Sequence, residues 1–87
     1  MRKIEQSMLQ ALAGNTYWKE SNTMVHGTTG DVYLHGNHIA KLFNGVLSVN
    51  RYTLARWPSA TTKSRLRALG ANVTTKNGVT YLDNEKV

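Results

Sequence analysis

The sequence predicts a small α+β domain: an antiparallel β-meander preceded by a helix and followed by a second helix and a C-terminal β-hairpin. Three observations carry this reading. Near the start, Ile4, Met8, Leu9 and Leu12 recur with the period of a helix. In the middle, strand-like runs are separated by Gly36-Asn37 and Asn44-Gly45, two-residue hairpin signals. A third such signal, Asn77-Gly78, follows a basic helix with Ser59, Thr61 and Thr62 as candidate caps and Gly70 as its stop.

Residues 2–13 form the first predicted helix, with Lys3, Gln6, Ser7 and Gln10 on its wet side and Gly14-Asn15 as its stop. Residues 15–21 read as a connection. It contains Tyr17 and Trp18, adjacent aromatics that cannot both point inward from a regular element, so one is expected to cover the core edge. Strands are expected at 22–26, 32–35, 38–43 and 46–49, with a turn over 27–31. The Gly36-Asn37 loop, read as type II′, pairs Leu34 with Ile39; the Asn44-Gly45 loop pairs Leu42 with Leu47 and Ala40 with Val49. Ile39 and Leu42 then fall on opposite faces of one strand. This demands a bulge between them or cover on both faces, and the reading adopted is one face under the helices with a small apolar cluster on the other.

Residues 50–57 fit an extended connection or a short helix with Tyr52, Leu54 and Trp57 inward, ended by Pro58. The next helix, 61–69, places Thr62, Leu66 and Leu69 inside and Lys63, Ser64, Arg65 and Arg67 outside. After the closing hairpin, residues 83–87 read as a frayed tail. A winged helix-turn-helix is the alternative: a short helix at 51–57, a turn at 58–60, a recognition helix at 61–69 and a hairpin wing. Against it, four predicted strands separate the first helix from this unit.

The chain has 87 residues, the size of a single small domain (1–87) with a thin core. It has no cysteine, which excludes disulfides and thiolate metal sites. No apolar run approaches a membrane span, and no signal-peptide stretch follows the basic start, so a soluble intracellular protein with no membrane partner is expected. The net charge of +6 is uneven: residues 1–50 carry four bases and three acids, residues 51–87 seven bases and two acids. An acidic partner for the second half is the reading this asymmetry supports.

Catalytic chemistry is not expected. The five acids form no recognisable pair, Ser59 and Ser64 lack an activating base, and Gly27 and Gly30 do not sit in a phosphate loop. His35 and His38 flank the predicted turn and would face one another across strands, but no ligand spacing supports a metal site with His26. No cofactor is implied. The strongest functional signal is basic and aromatic: Arg51, Arg56, Lys63, Arg65, Arg67 and Lys76, with Tyr52 and Trp57 among them, suit phosphate contacts and base stacking.

The segments Val32 to Ala40, Trp57-Pro58 and Thr61 to Leu69, together with the Arg2 to Leu9 start, resemble a group of small accessory proteins of tailed bacteriophages over most of the chain. The resemblance implies a phage accessory protein acting in the bacterial host cytoplasm, either on nucleic acid or as an inhibitor of a host protein or defence complex. It transfers no site residue. Two functions follow as expectations: nucleic-acid binding through the basic residues, or inhibition of an acidic host protein with Tyr17, Trp18, Tyr33 or Trp57 as buried anchors. A structural role in the particle has no assembly motif to support it. An open sheet edge offers a route to a homodimer.

Overall fold

The computed structural model describes residues 1–87. Helix α1 (Lys3–Ala13) leads into strands β1 (Tyr17–Glu20), β2 (Thr23–His26), β3 (Asp31–Leu34), β4 (Asn37–Phe43) and β5 (Val46–Val49). Helices α2 (Arg51–Arg56) and α3 (Ala60–Leu69) follow, then β6 (Val73–Lys76), β7 (Val79–Leu82) and β8 (Glu85–Lys86). The first five strands make an antiparallel meander in sequence order, and the last three make a second small sheet. One core joins them. Met8 and Leu12 of α1, Val25, Val32 and Ile39 of the meander, Leu54 of α2, Leu66 and Leu69 of α3, and Val73 and Leu82 of the second sheet are all buried in it.

The α+β architecture and the pairings of Leu42 with Leu47 and Ala40 with Val49 are as the sequence predicts. The meander has five strands rather than four, because Tyr17–Glu20 pairs with Thr23–His26 instead of forming a connection. Alternation then settles the aromatic pair: Tyr17 is exposed, while Trp18 packs against the core. The tail is likewise ordered. Asp83 and Asn84, at φ 52° and 66°, make a tight turn that returns β8 onto β7.

The turn between β3 and β4 differs from the expectation. Leu34 pairs with Asn37, so the loop residues are His35 and Gly36, at φ 51° and 79°. Positive φ at both positions is the type I′ geometry, which matches strand twist better than the open forms do. The shift places Tyr33, not His35, opposite His38. The predicted conflict of faces is resolved by a bulge at Ile39: Val32 faces Ala40 while Tyr33 faces His38. Both Ile39 and Ala40 therefore reach the core, and the Ile39 carbonyl accepts a hydrogen bond from the Asn50 N–H at 2.8 Å.

Gly27 is set by space. A Cβ there would lie 2.3 Å from the backbone nitrogen and oxygen of Thr16, which accepts the Gly27 N–H at 3.0 Å. Only glycine lets the loop after β2 close on the end of α1.

The order α2, turn, α3, hairpin reproduces the chain order of a winged helix-turn-helix, but the packing does not. Helix α2 docks on β4, and α3 packs on α1, β4 and β6 through Thr62, Arg65, Leu66 and Leu69 rather than mainly on α2. A helix-turn-helix unit packs its two helices on one another.

Candidate functional site

Local sequence fixes the corner between α2 and α3. Asn50 caps α2 by accepting the Thr53 N–H at 3.0 Å, and Ser59 caps α3 by accepting the Thr62 N–H at 3.1 Å. Pro58 between them keeps Trp57 out of the helical region, at φ −131° and ψ 68°. The short helix exists, but Tyr52 and Trp57 do not point inward as the helical option expected. They are 67% and 45% exposed, and Thr53 and Leu54 take the inner face.

The two exposed rings hold Arg56 between them. Its guanidinium carbon lies 5.3 Å from the Tyr52 ring centre and 4.9 Å from that of Trp57, and Nη1 donates to the Tyr52 hydroxyl at 2.6 Å. Arg56 and Trp57 line a groove of about 740 Å³ between the α2–α3 corner and the β3–β4 turn. His35, Asn37, Ser59 and Thr61 supply polar groups to its wall, and no carboxylate lines it. An arginine held against two aromatic faces is pre-ordered and still wet, so it presents a fixed charge to an anion.

The remaining predicted basic residues divide. Lys63 donates to Thr75 Oγ1 at 2.6 Å, and Arg67 Nε donates to the Val73 carbonyl at 2.8 Å, so both lie along β6. Lys76 is exposed at the end of the same strand, beside the Asn77-Gly78 turn. Arg51 stands apart, in a separate depression that also contains Asp83.

Arg65 is not on the surface. Its side chain is 4% exposed, and Nη1 donates to Glu5 Oε2 at 2.7 Å. Nε donates to Thr23 Oγ1 at 3.0 Å, and Ser64 Oγ donates to Glu5 Oε2 at 2.5 Å. The cluster ties α1, β2 and α3 together and leaves no buried side-chain polar atom unpartnered. Burial pushes the Glu5 carboxyl up, but the hydrogen bonds from Ser64 and Arg65 outweigh it and hold the group below its usual range. The signal was present in the spacing. Arg65 lies three residues after Thr62 and four before Leu69, on the buried stripe; Glu5 lies three before Met8.

A second feature was not recognised in the sequence. Tyr17, His26, Tyr33 and His38, one from each of β1 to β4, form a row of rings with successive centres 5.5, 5.3 and 5.3 Å apart. Asp31 Oδ1 faces His38 Nε2 at 2.9 Å, and Asn50 Nδ2 faces His38 Nδ1 at 3.2 Å. With Asn50 Oδ1 already accepting from Thr53, the Asn50 amide donates to Nδ1, which assigns the His38 proton to Nε2. The Asp31 carboxyl is held below its usual range chiefly by the Thr29 hydroxyl, against the opposing effect of burial, with His38 adding to the pull. His35, at the turn, is outside this row.

Against known families, residues 1–87 match the model described as Kyanoviridae Gp96 protein, a family of phage proteins. The chain belongs to that family. The match covers every residue and makes this a small phage protein, as the resemblance in the sequence implied. No curated protein and no solved structure matches the chain. No helix is long and apolar enough to cross a membrane.

Proposed function

We propose that this phage protein is a non-enzymatic accessory factor that binds nucleic acid in the cytoplasm of the host cell. The observation that supports it best is Arg56, wet and ordered against the exposed Tyr52 and Trp57 rings at a groove without carboxylates. Guanidinium next to aromatic faces suits a phosphate followed by a base. Lys63, Arg67 and Lys76 along α3 and β6 add sequence-independent attraction. The exposed Tyr52 and Trp57 rings favour a single strand, whose unstacked bases they can receive, as the substrate.

The test is fluorescence anisotropy with a labelled single-stranded oligonucleotide over a range of salt. Affinity is expected to fall linearly in log–log form with salt, and Arg56→Ala/Trp57→Ala is expected to weaken binding at least about tenfold, on the scale of one lost stacked base and one lost charge contact. Salt-insensitive binding, or an unaffected double variant, rejects the reading.

The same three side chains support a second reading, inhibition of a host protein, because tryptophan, tyrosine and arginine dominate protein interfaces. Pull-down from bacterial lysate with and without nuclease separates the two. A discrete host protein that survives nuclease and is lost in Arg56→Ala/Trp57→Ala favours inhibition.

A further inference from the structure

We infer that the outer face of the five-stranded sheet is a second base-stacking surface for single-stranded nucleic acid, built on the row Tyr17, His26, Tyr33 and His38. The inference extends the nucleic-acid reading above to a different part of the molecule.

The row arises from strand register. Tyr17 is directly opposite His26, and Tyr33 is directly opposite His38, while His26 and Tyr33 are diagonal neighbours. The core lies on the other face of the sheet, under the helices. Tyr17 and His26 are exposed, and Tyr33 and His38 are half-buried. Neighbouring ring planes are inclined by 54° to 66°, so no ring is stacked in parallel on another. Sheet-face aromatics of this kind hold two or three bases in single-strand modules.

Charge favours a nucleic acid as the occupant. Lys19 follows Tyr17 two residues later on the same face of β1, and Lys41 stands opposite Asp31. Asp31, the acid beside the row, is engaged by Thr29 at 2.7 Å and His38 at 2.9 Å. His38, the last ring, bonds to Asn50, the cap of α2, whereas its neighbours Asn37 and Ile39 line the Arg56 groove from the other face of β4. The row and the groove are therefore separate surfaces.

Cross-strand rings also stabilise a sheet on their own, so binding and folding must be read separately. The test uses the full chain and a fluorescein-labelled oligodeoxythymidine, with Tyr17→Leu/Tyr33→Leu against Tyr17→Phe/Tyr33→Phe. Leucine keeps apolar bulk without a π-face; phenylalanine keeps both. The expected result is a loss of about fivefold or more for each base that loses its ring in the leucine variant, with affinity retained in the phenylalanine variant. Circular dichroism checks that each variant is folded. If the leucine pair is not, Tyr17→Leu alone decides, because Tyr17 is 65% exposed on an edge strand. Wild-type affinity in the leucine variant, or equal losses in both variants, overturns the inference. If Arg56→Ala/Trp57→Ala weakens binding while the leucine pair does not, the row falls and the groove stands. The reverse pattern supports the row and removes the groove. No binding of the wild-type chain overturns both.

Discussion

Arg56 and Arg65 sit on consecutive helices and are used in opposite ways. Arg65 has been taken out of water, and its guanidinium is bonded to Glu5, Thr23 and Asn22. Arg56 rests on two exposed rings beside an open groove. In the interior, a guanidinium without its partners would be intolerable, so pairing is obligatory and the group acts as a structural tie. On the wet corner the charge remains available, because hydration can be exchanged for a phosphate at little cost. The same residue type is therefore a structural tie in one place and, under the proposed function, a binding group in the other, and burial decides which.

The comparison is tested most strongly by breaking the tie. Arg65→Ala leaves Glu5 charged and buried, and should destabilise the protein by about 3–5 kcal/mol. For a chain of this size that lowers Tm by at least about 12 °C. Arg56→Ala should cost less than about 1 kcal/mol, because the ring contacts and the hydrogen bond to Tyr52 that are lost are all exposed. Thermal and urea unfolding of the two variants measure the difference; similar losses would contradict the division of roles. Replacing both partners, as Glu5→Leu/Arg65→Met, should recover much of the loss, since no unpaired charge is left inside.

What could be read in the sequence follows the same line between short-range and long-range causes. The hairpins at Asn44-Gly45 and Asn77-Gly78 and the stop at Gly70 are local, and each appears where local chemistry places it, while of the candidate caps Ser59, Thr61 and Thr62 the chain uses Ser59. The conflict of faces between two hairpins was legible, but cover on both faces was the expected answer, and the register shows a bulge at Ile39 instead. The β1 strand and the β8 return were missed because short polar segments become strands only when a neighbour offers an edge. Arg65 was misplaced because a cation on a helix is ordinarily wet. The carboxylate that makes its burial possible lies at Glu5, sixty residues away in the chain. The ring row was hidden for a related reason: four aromatics from four strands are collinear only once register is fixed.

Acid titration sharpens the comparison at a smaller scale. The folded Glu5 carboxyl titrates below its usual range. Such a group contributes its full stabilisation above the unfolded value, about 4.3, and loses it as pH falls through the lower folded value. Stability should therefore decline as pH drops below about 4.3. Asp31, held low chiefly by Thr29, adds a parallel decline that begins near the ordinary aspartate value of about 3.9. The Glu5→Leu/Arg65→Met variant should keep only the Asp31 part, giving a shallower fall in urea stability between neutral and acid pH. An Arg56→Ala variant should follow the wild-type curve. An unchanged acid slope in the double variant would show that the buried pair is not what acid breaks.

The smallest expected effect is the most direct count of wet cations. Lys76 is exposed at the end of β6 and bonds to nothing, whereas Lys63 on the facing helix is drawn to Thr75. If nucleic acid lies along this side, Lys76→Ala should leave Tm unchanged and reduce the log–log salt slope of binding by about 0.7–0.9, the signature of one lost phosphate contact. Glu5→Leu/Arg65→Met also removes a basic residue from the same stretch of sequence, yet it should leave the slope alone. A buried guanidinium neutralises no phosphate and so displaces none of the counterions condensed on the nucleic acid. If both changes lower the slope equally, Arg65 opens to solvent in the complex, and the distinction between the inner and outer arginines holds only for the free protein. If neither does, the strand does not run along β6, and the phosphate contacts belong to the Arg56 corner alone.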